Sequence, residues 1–156
     1  MGAEAVVNGR RSVVLESPAA TLVVDLGGGS IVDFHIAGGG LNPLRWLGPG
    51  DEKQAFRPMA HFLCLDRGGA PSEAERGNGM FFHGEASRVE WKEYEAPEHQ
   101  GGGKSAAMGA MLPMAGLEIR RAILLSATAP IFRVSDNWTA FIRLNSLKER
   151  ATSLAI

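Results

Sequence analysis

The chain has 156 residues, 45% hydrophobic and 21% charged, with 16 basic and 17 acidic side chains and a net charge of −1. That size supports one domain with a substantial core, and the balanced charge with no basic block gives no footing for nucleic acid or an anionic membrane surface. The lone cysteine, Cys64, lies in the apolar run Phe62-Leu63-Cys64-Leu65, so it forms no internal disulfide and reads as a buried structural thiol.

The first seven residues, Met1 to Val7, lack the basic and apolar regions of a signal peptide. Val6 stands where a myristoylation signal needs Ser or Thr, and no apolar run approaches the ~18 residues of a membrane span. The expectation is a soluble cytoplasmic protein. Twenty glycines and eight prolines, spread along the chain, imply many turns between short strands.

Residues 12–16 read as a first strand, stopped by Ser17-Pro18. Residues 21–36 carry the clearest pattern. Leu22, Val24 and Leu26 share one strand face, Val32, Phe34 and Ile36 share another, and Gly27-Gly28-Gly29 lies between. Opposing Val24 with Val32 and Leu22 with Phe34 aligns the apolar sides, which implies a three-residue glycine loop. Asp33 and His35 then share the polar face. Residues 61–66 are apolar on both faces and read as a buried strand, and residues 71–77 as one helical turn, with Pro early and Gly late.

Residues 87–94 alternate, with Val89 and Trp91 on one side and Arg88, Glu90 and Lys92 on the other. Residues 105–112, 117–125 and 131–135 complete the strands, although Arg121 interrupts the apolar face of its segment. Short strands with little helical periodicity define an all-β fold, an antiparallel β-sandwich. It should occupy residues 1–136. The tail, 137–156, changes character: Leu144, Leu147, Ala151 and Leu154 fall at helical spacing, so it is either a short C-terminal helix or separate from the sandwich.

Chemistry concentrates in Gly77-Asn78-Gly79-Met80-Phe81-Phe82-His83-Gly84-Glu85-Ala86. Asn78-Gly79 reads as a turn, the apolar run is driven inward, and Gly84 leaves room for a close neighbour behind His83. An imidazole beside aromatic faces suits a polar ligand with apolar C–H faces, such as a sugar. The plainer local reading is a histidine satisfied by backbone at a tight turn. Gly101-Gly102-Gly103-Lys104-Ser105 is not a phosphate loop, since Glu98 stands where the spacing needs glycine. His35, His61, His83 and His99 lack short metal-ligand spacing. Asn137-Trp138-Thr139 fits a glycosylation site that a chain without a secretion signal does not use.

The glycine-turned hairpin, then Asn42-Pro43-Leu44, then Asn78-Gly79 leading to Phe82-His83-Gly84, resembles the first half of an aldose 1-epimerase (galactose mutarotase-like) protein. The resemblance runs from residue 12 to residue 135. It implies part of that family's large β-sandwich, with no metal or organic cofactor, and a sugar or sugar-phosphate ligand bound by His83, Arg67 and Asn78. It also implies interconversion of α and β anomers, in which a base takes the C1 hydroxyl proton while an acid protonates the ring oxygen. The family's acid histidine and base glutamate fall beyond the point where this chain stops. The chain then resembles an incomplete domain, inactive alone and prone to self-association through an uncovered sheet edge. The alternative is a non-catalytic carbohydrate-binding sandwich, with a β-domain lacking any sugar site behind it. Were the chain itself active, the acid and base would lie among His35, His61, His99, Glu85 and Asp66.

Overall fold

The computed structural model describes residues 2–44, 59–96 and 101–141. Two four-stranded antiparallel sheets make an all-β sandwich. The first holds β1 (Ala3–Val7), β2 (Arg10–Glu16), β3 (Ala20–Asp25) and β4 (Ser30–Ile36) in that order. The second holds β5 (Lys92–Tyr94), β6 (Lys104–Leu112), β7 (Leu117–Leu125) and β8 (Phe132–Ala140). Between the sheets the chain makes one helical turn, α1 (Glu73–Gly77), and a 3₁₀ turn at Ala86–Arg88. No helix among the described residues is long and apolar enough to cross a membrane.

Alternation builds the core. Val13, Leu15, Leu22 and Val24 from the first sheet and Met108, Leu112, Ile119, Ile123 and Leu125 from the second face one another and are fully buried. Phe34 and Phe132 meet edge-on across the sheets at 4.8 Å between centroids.

Several elements depart from the expectations. β1 pairs with β2 through Asn8-Gly9, both at positive φ, a two-residue turn that suits the strand twist. In the β3–β4 hairpin Leu22 faces Phe34, as the alternation requires, but Val24 faces Ile31 and not Val32. A bulge at Val32 shifts the register, so the connection spans residues 26–29. The bulge lets the larger Ile31, 1% exposed, take the core position opposite Val24. Asp33 and His35 do share a face, with Nδ1 of His35 3.0 Å from the Asp33 carboxylate.

Residues 61–66 form no strand beyond a single bridge from His61 to Ile31, and Cys64 is exposed rather than buried. This segment runs along the β4 edge, where the Asn42 side chain donates to the Val32 carbonyl and accepts from the Phe34 amide. The strand expected over 87–94 shrinks to β5, because the 3₁₀ turn takes its first residues. β8 continues to Ala140, past the boundary drawn at residue 136, and the helical spacing of 144–154 lies outside the described residues.

The turn at 26–29 is the joint between the sheets. Trp91 is wholly buried; its amide donates to the Leu26 carbonyl at 2.8 Å and its indole to the Ala86 carbonyl at 2.8 Å. Gly29, at φ +63, packs so closely on the Trp91 ring that a Cβ would overlap it. Arg10 forks onto Asp25 at 3.0 and 2.7 Å and donates to the Gly27 carbonyl at 3.0 Å. From the other sheet Arg121, 1% exposed, forks onto Asp136 at 2.7 and 3.0 Å and donates to the Gly29 carbonyl at 2.6 Å. Its guanidinium also stands 5.4 Å from the centre of the Trp91 ring. The arginine that interrupts β7's apolar face is therefore a satisfied core charge.

Candidate functional site

A cleft of ≈ 520 Å³ opens at the end of the sandwich, where the segment between the sheets meets the β6–β7 turn. It is lined by Asp66, Glu75, Asn78, Met80, Met114, Ala115 and Leu117. A smaller hollow of ≈ 330 Å³ beside β8 carries, among the described residues, Ser126 and Arg133 as polar side chains.

Helix α1 builds one wall. Ser72 caps it: its hydroxyl accepts from the Glu75 amide while the Glu75 carboxylate accepts from the Ser72 amide at 2.8 Å. Hydrogen bonds from Ser72 first, then from Arg67, hold the Glu75 carboxyl down at about 2. Glu75 is thus a fixed carboxylate. Asn78 follows as the C-cap, its amide donating to the Ala74 carbonyl at 3.1 Å and the Gly79 amide to the Arg76 carbonyl at 2.9 Å, and Asn78 lines the cleft.

The opposite wall is organised by Asp66. His83 and Gly84 both adopt positive φ, +66 and +77, and a Cβ at Gly84 would overlap the Asp66 carboxylate. The same carboxylate accepts from the Glu85 amide at 3.2 and 3.1 Å. Gly84 therefore makes room for a carboxylate. Glu85 is 3% exposed and accepts from the Ala115 amide at 2.8 Å, tying this turn to the β6–β7 turn. Its burial follows from that partner, which lies far along the chain.

Of the residues expected to bind sugar, Asn78 lines this cleft, and among the described residues His83 and Arg67 do not. Arg67 backs the wall by pairing with Glu75 and donating to the Ala70 carbonyl. His83 is half-buried, with its ring edge-on to Phe62 and Phe82. Its Nδ1 accepts from the Gly69 amide at 3.1 Å and its own amide donates to the Gly69 carbonyl at 2.9 Å. The plainer reading describes this histidine well: its ring braces a tight turn. Among the aromatic rings, Trp91 is core, whereas Phe81 and Phe82 are exposed, Phe81 under the Arg88 guanidinium at 5.5 Å.

Sequence reasoning missed Glu75 and reached Asp66 only as one of several alternative acid or base candidates. The Ser72-to-Glu75 spacing of a capping box was the available signal for Glu75; the place of Asp66 in the cleft had none, because it depends on Gly84 and Glu85 arriving beside it. Partial burial, then the Asp66 carboxylate, pushes the Cys64 thiol up, which lowers its thiolate fraction. No group of three or more metal-ligating side chains occurs among the described residues. No known protein family matches the chain, and no curated protein or solved structure matches it either.

Proposed function

We propose that the chain is a carbohydrate-binding β-sandwich of the aldose 1-epimerase-like kind, holding a sugar in the Asp66–Asn78 cleft. The observation that carries this reading is the lining itself: Asp66, Glu75 and Asn78 offer acceptors and an amide donor, while Met80, Met114 and Leu117 supply aliphatic faces. A pyranose presents that same mixture of hydroxyls and C–H surface. The volume lies within the range of small-ligand clefts.

Binding, not turnover, is what these groups do best. Anomer exchange needs a base whose pKa lies near the working pH. Glu75, held at about 2, is too weak a base. The residues accept sugar hydroxyl protons in hydrogen bonds and orient the ring.

The test is sugar-dependent thermal stabilisation. Galactose and glucose at millimolar concentrations should raise the Tm, and Asn78→Ala should weaken the apparent affinity about two- to tenfold without unfolding the chain. No stabilisation by any aldose, or an Asn78→Ala variant that binds as well as the parent, defeats the proposal.

A further inference from the structure

The inner face of the second sheet continues past the cleft wall. Leu117, which lines the cleft, is paired across the sheet with Ala140, and Ile119 with Trp138. Directly opposed residues share a face, so Trp138 lies on the same side as the buried Ile119. Yet Trp138 is 60% exposed. It is the diagonal neighbour of Leu117, within reach for a side chain as long as an indole. Leu117, Ala140 and Trp138 thus form an apolar shelf leading outward from the cleft.

We propose that Trp138 is the stacking surface for a second sugar ring, so that the cleft takes a disaccharide or glycoside in preference to a single pyranose. The proposal rests on the carbohydrate reading of the cleft. One ring occupies the pocket against Asp66 and Asn78; the next lays its C–H face on the indole. Stacking suits this position because an indole is large, rigid and loses little conformational freedom on binding. Two positions along the same face of β8, Asp136 is forked onto by Arg121 at 2.7 and 3.0 Å, so the carboxylate on this face is already paired and does not bias the shelf toward an ion.

Calorimetry with glucose, galactose, maltose and lactose tests this on the full chain. The disaccharides should bind about three- to tenfold tighter than their component hexoses. Trp138→Ala should erase that increment and leave the hexose affinity unchanged, while Trp138→Phe should keep most of it. Disaccharides that bind no tighter than hexoses overturn the proposal, as does an increment that survives Trp138→Ala. A blue shift of Trp138 fluorescence that follows protein concentration without sugar overturns it too, assigning the shelf to self-association. If no sugar of either kind binds, the carbohydrate reading itself falls.

Discussion

Two turns in this protein combine positive φ with a charged side chain, and they treat that charge in opposite ways. At residues 26–29 guanidinium groups reach in from both sheets and donate to the carbonyls of Gly27 and Gly29, with each cation forked onto its own aspartate. Arg121 and Asp25 are each 1% exposed. At residues 83–84 the charge is a carboxylate, Asp66, which among the described residues accepts one backbone amide while facing a cleft. A carboxylate has about four acceptor sites, so most of its capacity remains available there. One turn is closed by its charges and fixes the sandwich. The other is held by its charge and still presents it.

If that contrast is correct, mutations at the first turn should cost stability, and mutations at the second should cost binding. Arg121→Leu should have the largest effect, about 3–5 kcal/mol, because Asp136 and the Gly29 carbonyl lose their buried partner. Urea unfolding reads this directly; a loss below about 1 kcal/mol would show that the joint does not depend on the charge. Gly29→Ala comes next at about 2–4 kcal/mol, combining positive φ with overlap on the rigid Trp91 ring.

Gly84→Ala meets a side-chain carboxylate that can swing away, so its folding cost should be smaller, about 1–2 kcal/mol. Displacing Asp66 should nevertheless abolish sugar-dependent stabilisation. A variant that loses stability but keeps sugar binding would separate the two turns less cleanly than the structure does.

Ser72→Ala should cost about 1 kcal/mol through the lost cap. It should also raise the Glu75 titration midpoint from about 2 toward the ordinary 4.5, followed by carboxyl-carbon NMR. The sign follows from that depressed folded-state value: the helix cap is at full strength above about 4.5 and weakens as pH falls from there through about 2. The smallest expected effect is none at all. Polarimetry of glucose or galactose with the purified chain should show mutarotation no faster than buffer. A catalysed rate removed by Asp66→Asn would move Asp66 from binding group to base.

Legibility in the sequence followed the range of the interaction. Alternation in residues 12–16, 21–26 and 117–125 is set by burying one face against another, and those strands appear where the pattern puts them. The capped helix at Glu73–Gly77 is equally local. β1 was also readable, since Asn8-Gly9 is a strong hairpin signal between short extended runs. The bulge at Val32 was not, because it answers to the core volume opposite Val24. Residues 61–66 look like a buried strand by composition, but backbone pairing there stops at His61. The cleft was legible in Asn78 as a binding residue and in Asp66 only as an alternative acid or base. Asp66, Glu85 and Ala115 meet through contacts spanning up to 30 positions, which no local pattern records.

The hydrogen bond from Arg121 to the Gly29 carbonyl spans 92 positions. During synthesis the first sheet therefore leaves the ribosome with its central turn unfinished. At roughly 5–20 residues per second, the arginine arrives some 5–18 s after the glycine it must reach. For about the first two-thirds of that interval the nascent hairpin lacks both Trp91 and the guanidinium, and for the last third the indole waits for its guanidinium partner. Sealing the joint is then a late event of high sequence separation, the kind that slows folding and makes both sheets rise and fall as one cooperative unit.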